Sequence, residues 1–236
     1  GFMRGLDSKG KWRTPFSPRA SNHRNDDYCE GTAWQWTWFV PHDVKGLIEL
    51  MGGKTKFTEK LDSLFTADSS LEGELVSADI TGLIGQYAHG NEPSHHIIHL
   101  YNYADQPWKT QELVDSVFRS QYHNAPDGLS GNEDCGQMSA WYIMNSIGFY
   151  QVCPGKPVYS IGRPLFDEVI INLPGNKKFT VKTINNRKEN RYIEKAVLNG
   201  VILEKPFINH KDIMNGGIIE FTMTDKPTQW GYIAEN

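Results

Sequence analysis

The stretch Ala88-His89-Gly90-Asn91-Glu92-Pro93-Ser94-His95-His96 and the stretch Gly131-Asn132-Glu133-Asp134-Cys135-Gly136-Gln137 share one pattern. In each, a glycine is followed by Asn-Glu and then by a run of helix-forming and aromatic residues. A tight polar loop entering a helix carries its carboxylates and amides to the helix N-terminus, where unpaired N–H groups and the helix dipole favour negative charge. Two acidic loops that both open aromatic helices are expected to converge on one pocket. A further carboxyl, Glu30, stands in an aromatic stretch that includes Tyr28, Trp34 and Trp36. Such oxygen-bearing side chains suit acid–base chemistry or a hard cation.

The elements that must position these groups are legible from spacing. Residues 28–39 are too aromatic to lie exposed, and Trp34 and Trp38, four apart, would share a helix face with Gln35 beside them. Pro41 should end or bend that helix. His42-Asp43 opens a second helix with Val44, Leu47, Ile48 and Met51 at helical spacing, stopped by Gly52-Gly53. Phe57, Leu61, Leu64 and Phe65 repeat the pattern in a third. Residues 66–91 read as a long loop with small helical pieces. Residues 93–104 read as a helix with Pro93 in its first turn, and Pro107 opens another. The helix behind Asp134 should run from about Gly136 to Ile147 with Met138, Trp141 and Tyr142 buried. Residues 1–27 read as a surface loop anchored by Trp12 and Phe16.

After Pro154-Gly155 the character changes. Short β-like runs cover residues 158–161, 168–172, 179–183, 192–198 and 218–223, with Pro174-Gly175-Asn176, Asn199-Gly200 and Asn215-Gly216-Gly217 as turns. The layout is therefore α+β, with helical hairpins over 1–154 and a β unit over 155–236.

The totals exclude several classes. With 236 residues, 39% hydrophobic and 22% charged, the chain has enough apolar content for a sizeable core and is not disordered. A net charge of -4 offers no basic stripe for nucleic acid. No apolar run approaches the roughly 20 residues of a membrane span, and the first residues carry no basic-then-apolar leader. Seven Trp and ten Tyr, many beside polar residues, suit a sugar-like ligand as well as a core. Cys29, Cys135 and Cys153 have no metal-like spacing; one disulfide with a free thiol, or three buried thiols, are both compatible with the sequence.

Residues 30–43 (Glu30-Gly31-Thr32-Ala33-Trp34-Gln35-Trp36-Thr37-Trp38-Phe39-Val40-Pro41-His42-Asp43), Gly90-Asn91-Glu92-Pro93-Ser94-His95-His96, residues 127–142 from Asp127-Gly128-Leu129 to Ala140-Trp141-Tyr142, and Tyr159-Ser160-Ile161-Gly162-Arg163-Pro164-Leu165-Phe166-Asp167 resemble glycoside hydrolase family ninety-two in content and order. That resemblance implies a calcium-dependent, inverting exo-α-mannosidase, periplasmic or extracellular, acting on mannose-containing glycans with α-1,2 as the expected linkage. It also implies that the chain is the C-terminal portion of a longer enzyme. The fold expected is then the later hairpins of an α/α six-hairpin barrel followed by a small antiparallel β unit. Such a portion would depend on an N-terminal β-sandwich or a companion chain to complete the sugar pocket, and should expose apolar helix faces.

The resemblance assigns the general acid to Glu30 and the general base to Asp134. Inversion needs two carboxyl groups roughly 6.5 to 9.5 Å apart, one protonating the leaving oxygen and one activating water. Tyr28, Trp34 and Trp36 can supply Glu30 with the poorly solvated setting that keeps a carboxyl protonated. From spacing alone, Glu30 is equally a helix-start carboxylate, and Asp134 is more simply a cap on its helix. Asn91, Glu92 and Asp134 are the candidate calcium ligands, and Trp34, His95, Asn132 and Glu133 the candidate substrate contacts. His95, His96 and His99 could be read as zinc ligands, but without a glutamate between them core packing or a bond to Glu92 or sugar is the better account. Two other readings remain compatible with these residues: a non-catalytic carbohydrate-binding fragment, and another α-barrel sugar enzyme such as a lyase or phosphorylase.

Overall fold

The computed structural model describes residues 1–232. They form two compact units, Gly1–Ile97 with Gln121–Met138, and Ile98–Ser120 with the chain from Ser139 onward.

In the first unit α1 (Ala33–Trp36) is four residues long and locked at its start by a capping box. The Thr32 hydroxyl accepts from Trp34 N at 3.2 Å, and Gln35 Oε1 accepts from Thr32 N at 2.7 Å. The helix does not extend to Pro41. Thr37 Oγ1 takes the Ala33 carbonyl at 2.6 Å and Trp38 N turns to Gln35 O, tightening the chain out of the helix. Trp34 and Trp38 therefore part company: Trp34 meets Phe2 edge-on at 4.8 Å, whereas Trp38 is buried against Phe57 at 5.5 Å.

The next two helices match their spacing. α2 (Val44–Leu50) is capped by Asp43, whose side chain accepts from Gly46 N, and α3 (Lys54–Thr66) buries Phe57, Leu61 and Leu64 completely. Beyond Thr66, the last residue of α3, the stretch to residue 91 contains no helix. It forms an antiparallel hairpin of β1 (Leu83–Ile84) and β2 (Tyr87–Ala88). The helix expected over 93–104 is instead two 3₁₀ pieces, Glu92–Ser94 and Ile97–Ala104. Residues 94–102 are all buried, so there is no solvent-facing side for a 3.6-residue period to sort.

The second unit joins α4 (Pro107–Ser120) and most of α5 (Gln137–Ile147) to two sheets. β3 (Phe149–Tyr150), β4 (Val158–Ile161) and β9 (Phe207–Asn209) make an antiparallel sheet of three strands. The larger sheet uses β5 (Glu168–Leu173), β6 (Lys177–Ile184), β7 (Tyr192–Leu198), β8 (Val201–Ile202) and β10 (Gly217–Thr224), in the order β5-β6-β10-β7-β8. The expected all-antiparallel unit holds for every pair but one: β10 runs parallel to β6 and antiparallel to β7. β10 is reached only after β7, β8, β9 and the short α6 (His210–Met214), and this return lets it slot between β6 and β7. Alternate residues Phe179, Val181, Ile219, Phe221 and Met223 fill one core with Ile193 and Ala196.

Pro154 does not divide these units. α4 goes with the sheets because Asp115, on α4, pairs with the buried Arg163 at 3.2 Å, and because Gln111 Oε1 accepts from Ile193 N at 2.9 Å. Among the described residues no helix is long and apolar enough to cross a membrane.

Candidate active site

Glu30, Trp34, Asn91, Glu92, His95, Asn132, Glu133 and Asp134 all lie in the first unit, on three segments: α1 with its approach, the turn after β2, and the loop before α5. Glu30 sits just outside the α1 cap with φ +51°, a left-handed conformation uncommon for a residue with a side chain. Two neighbours hold it there. Trp36 donates from Nε1 to Cys29 O at 2.8 Å, and its ring lies so close over Gly31 that a Cβ there would fall 2.8 Å from Nε1. Asn91 donates from Nδ2 to Glu30 O at 2.9 Å and reaches Glu30 Oε2 at 3.5 Å.

Burial of Glu30 by aromatic neighbours is not found. The residue is exposed, because each of those rings is turned elsewhere. Tyr28 donates its hydroxyl to Met3 O at 2.7 Å, Trp34 packs on Phe2 beneath the Lys60 ammonium, and Trp36 binds Cys29 O. Nor is Glu30 a helix cap, a role taken by Thr32.

The second and third segments meet backbone to backbone. A Cβ on Gly131 would lie 2.4 Å from Gly90 O, so the two glycines let the loops close on each other. Asn91 caps the 3₁₀ turn, its Oδ1 accepting from Glu92 N at 3.2 Å. The loop before α5 carries Asp134 (φ +48°), Cys135 (φ +57°) and Gly136 (φ +97°), three consecutive left-handed residues that turn Asp134 outward. Asp134 O accepts from Gln137 N at 3.2 Å, and Glu133 O from Met138 N at 3.3 Å. The side-chain cap expected of Asp134 is absent. Among the described residues neither the Asp134 nor the Glu92 carboxylate has a hydrogen-bond or ion-pair partner. Asn132 is exposed, with Nδ2 3.4 Å from Asp79 Oδ1, and Glu133 is half-buried.

Beneath these loops lie three buried histidines, His89, His95 and His96. Burial and the neighbouring His95 push His89 well below the ordinary histidine range, and burial pushes His95 and His96 each down to about 4. Tyr122 gives its hydroxyl proton to Met138 O (3.1 Å), so it must accept from His89 Nε2–H (2.7 Å), leaving His89 Nδ1 to accept from Tyr87 (2.9 Å). His95 Nε2–H donates to His89 O at 2.9 Å, and its Nδ1 accepts from Gln137 Nε2 at 3.0 Å. His95 thereby braces the Asp134 loop from below. His96 binds Trp38 O at 2.8 Å, while His99 belongs to the second unit, bonded to Ser160 and Asn145. The zinc reading has no support in this arrangement: among the described residues no three of His, Cys, Asp and Glu are grouped to hold a metal ion. All three cysteines are free thiols, Cys29 and Cys135 exposed and Cys153 half-buried.

Sequence reasoning missed the Thr32–Gln35 capping box, whose Thr-x-x-Gln pattern was there to be read. It also missed His89 and Gln137, which carry no local signature because their partners are distant in the chain.

The glycosyl hydrolase family 92 catalytic domain matches residues 1–225. An alpha-mannosidase of that family from Bacteroides thetaiotaomicron, solved in complex with mannoimidazole, superimposes with a TM-score of 0.91 at 41% identity. That alignment covers 99% of this chain and 31% of that one. A family 92 inverting mannosidase from the same organism gives a TM-score of 0.85 at 39% identity, covering 99% and 32%. A protein of Arthroderma benhamiae described as an uncharacterized secreted glycosidase is 34% identical over 205 residues, which are 86% of this chain and 24% of that protein. The chain thus spans about a third or less of the length of these relatives, in their C-terminal portion. It belongs to glycosyl hydrolase family 92.

Proposed function

We propose that the protein carrying this chain hydrolyses terminal α-linked mannose with inversion, using Glu30 as general acid and Asp134 as general base. The observation that carries this reading is the meeting of three distant segments: Asn91 bonds Glu30, and the residue before it, Gly90, lies against Gly131, three residues before Asp134. In the proposed reaction Glu30 gives its proton to the glycosidic oxygen as the bond to the anomeric carbon breaks. Asp134 takes a proton from a water that attacks the opposite face, and the anomeric centre inverts. Mannosidase activity in two similar solved proteins, one of them named inverting, supports the reaction class. The α-1,2 linkage, the six-hairpin α/α barrel completed by other parts of the protein, and a periplasmic or extracellular setting belong to the same proposal. The last has the support of the secreted relative.

Calcium is part of the proposal as a cation held under the sugar. Glu92 and Asp134 would hold it, with Asn91 the weakest of the three because its Oδ1 already accepts the Glu92 N–H. Donors that are all oxygen suit calcium, and with no cluster of three ionisable ligands among the described residues, water and sugar hydroxyls would supply most of its shell. When bound, it would favour a flattened sugar ring by engaging vicinal hydroxyls.

A second reading, carbohydrate binding without turnover, has the exposure of both carboxylates in its favour, since solvent-facing groups lack the walls of a closed pocket. Release of mannose from an α-1,2-mannobioside separates the two. Wild-type full-length protein should release it, with Asp134→Asn and Glu30→Gln each slower by about a hundredfold or more. Binding without release by the wild type would favour the second reading, and near-wild-type rates in either variant would remove that residue from the mechanism.

A further inference from the structure

Resting on the reading of Glu30 as the general acid, we propose that Asn91 is the residue that positions it, acting as a bracket between the acid and its own turn rather than chiefly as a cation ligand. The orientation of its amide follows from its neighbours. One end faces the Glu92 N–H at 3.2 Å and must be the oxygen; the other faces the Glu30 carbonyl at 2.9 Å and must be the nitrogen. Asn91 is 3% exposed, so both ends of its amide are held inside the protein. The same nitrogen lies 3.5 Å from Glu30 Oε2, and an oxygen that accepts from an N–H leaves the other, Oε1, to carry the proton.

Glu30 needs such a bracket. Its side chain is exposed and its backbone sits at φ +51°, a conformation that costs about 1 kcal/mol or more and persists only where the surroundings over-determine it. Trp36 clamps the residues on either side through Cys29 O and the face of Gly31, but touches neither the Glu30 carbonyl nor its carboxylate in any hydrogen bond. Asn91 alone among the described residues bonds both. Without it the carboxyl would swing freely into water, and misplacement of an acid by about 1 Å is enough to cost about a hundredfold in rate.

The chemistry supplies a test that a merely structural role would not pass. Protonation of the leaving oxygen matters when that oxygen departs from a sugar, and matters little when it departs as a stable dinitrophenolate. Asn91→Ser keeps a side-chain oxygen able to cap Glu92 N but is too short to bond Glu30. In the full-length protein, with calcium present, kcat on an α-1,2-mannobioside should fall by about a hundredfold in Asn91→Ser. On 2,4-dinitrophenyl α-mannoside it should fall by less than about threefold. Because the result is a ratio of two rates from one preparation, loss of folded protein or of bound calcium lowers both equally and leaves it unmoved. Glu30→Gln is the reference and should show the same selectivity. If Glu30→Gln is selective and Asn91→Ser slows both substrates alike, or neither, the positioning role is wrong while the acid stands. If Glu30→Gln is itself unselective, the acid assignment fails and the bracket with it.

Discussion

Gly131 faces Gly90 so closely that a Cβ on Gly131 would lie 2.4 Å from the Gly90 carbonyl oxygen and 2.7 Å from its Cα. The atoms in the way are backbone, which cannot rotate aside. Gly131→Ala should therefore push apart the turn carrying Asn91 and Glu92 and the loop carrying Asp134. A loss of about 1 to 3 kcal/mol in stability is expected from urea unfolding. Mannoside hydrolysis by the full-length protein should fall by more than the unfolded fraction explains.

The buried histidines predict acid sensitivity with a definite sign. His95 and His96 are held near 4 in the folded chain against an ordinary 6.5, so below 6.5 the unfolded chain binds protons that the folded chain refuses. Their stabilisation is complete above the unfolded value and is lost as the pH falls toward 4, with a ceiling of roughly 3 kcal/mol for each. The melting temperature should drop steeply from about pH 6.5 to about pH 4. His96→Gln can still donate to Trp38 O but does not titrate, and should flatten that slope; an unchanged slope would assign the acid sensitivity to other groups.

Asp115 neutralises Arg163, and both side chains are 3% exposed. Asp115→Asn leaves a guanidinium buried without an anion and should cost about 3 to 5 kcal/mol, read from the urea midpoint. The exposed Lys45–Glu49 pair at 3.8 Å is the contrast: Glu49→Gln should leave the midpoint where it was.

Removal of calcium tests the hard-oxygen donors. Excess chelator should lower mannobioside hydrolysis by the full-length protein, and added calcium should restore it, because Glu92 and Asp134 have no partner of their own among the described residues. Glu92→Gln should raise the calcium concentration needed for half-maximal rate. A rate indifferent to the chelator would remove the cation from the proposal.

Local chemistry made much of this molecule legible in one dimension. The period of Phe57, Leu61 and Leu64, the Asp43 cap, Pro107 as a helix start and the alternating apolar runs after Pro154 each depend on residues a few positions apart, and each appears where its pattern lies. The resemblance of four separate runs likewise pointed to the family to which the chain belongs. What tertiary structure alone decided is whatever depends on partners far along the chain. Residues 94–102, buried on every side, became 3₁₀ rather than α. β10 entered parallel to β6 because a later strand can take any open edge. Glu30 came to rest exposed rather than walled by aromatics, since Trp34 and Tyr28 found Phe2 and Met3 more than 20 residues away. Spacing can say that Glu30, Asn91 and Asp134 are chemically able; only the approach of Gly90 to Gly131 and the reach of Asn91 across 61 positions bring their segments together. Short-range rules follow from covalent geometry, whereas those meetings follow from how the whole apolar surface is packed away from water.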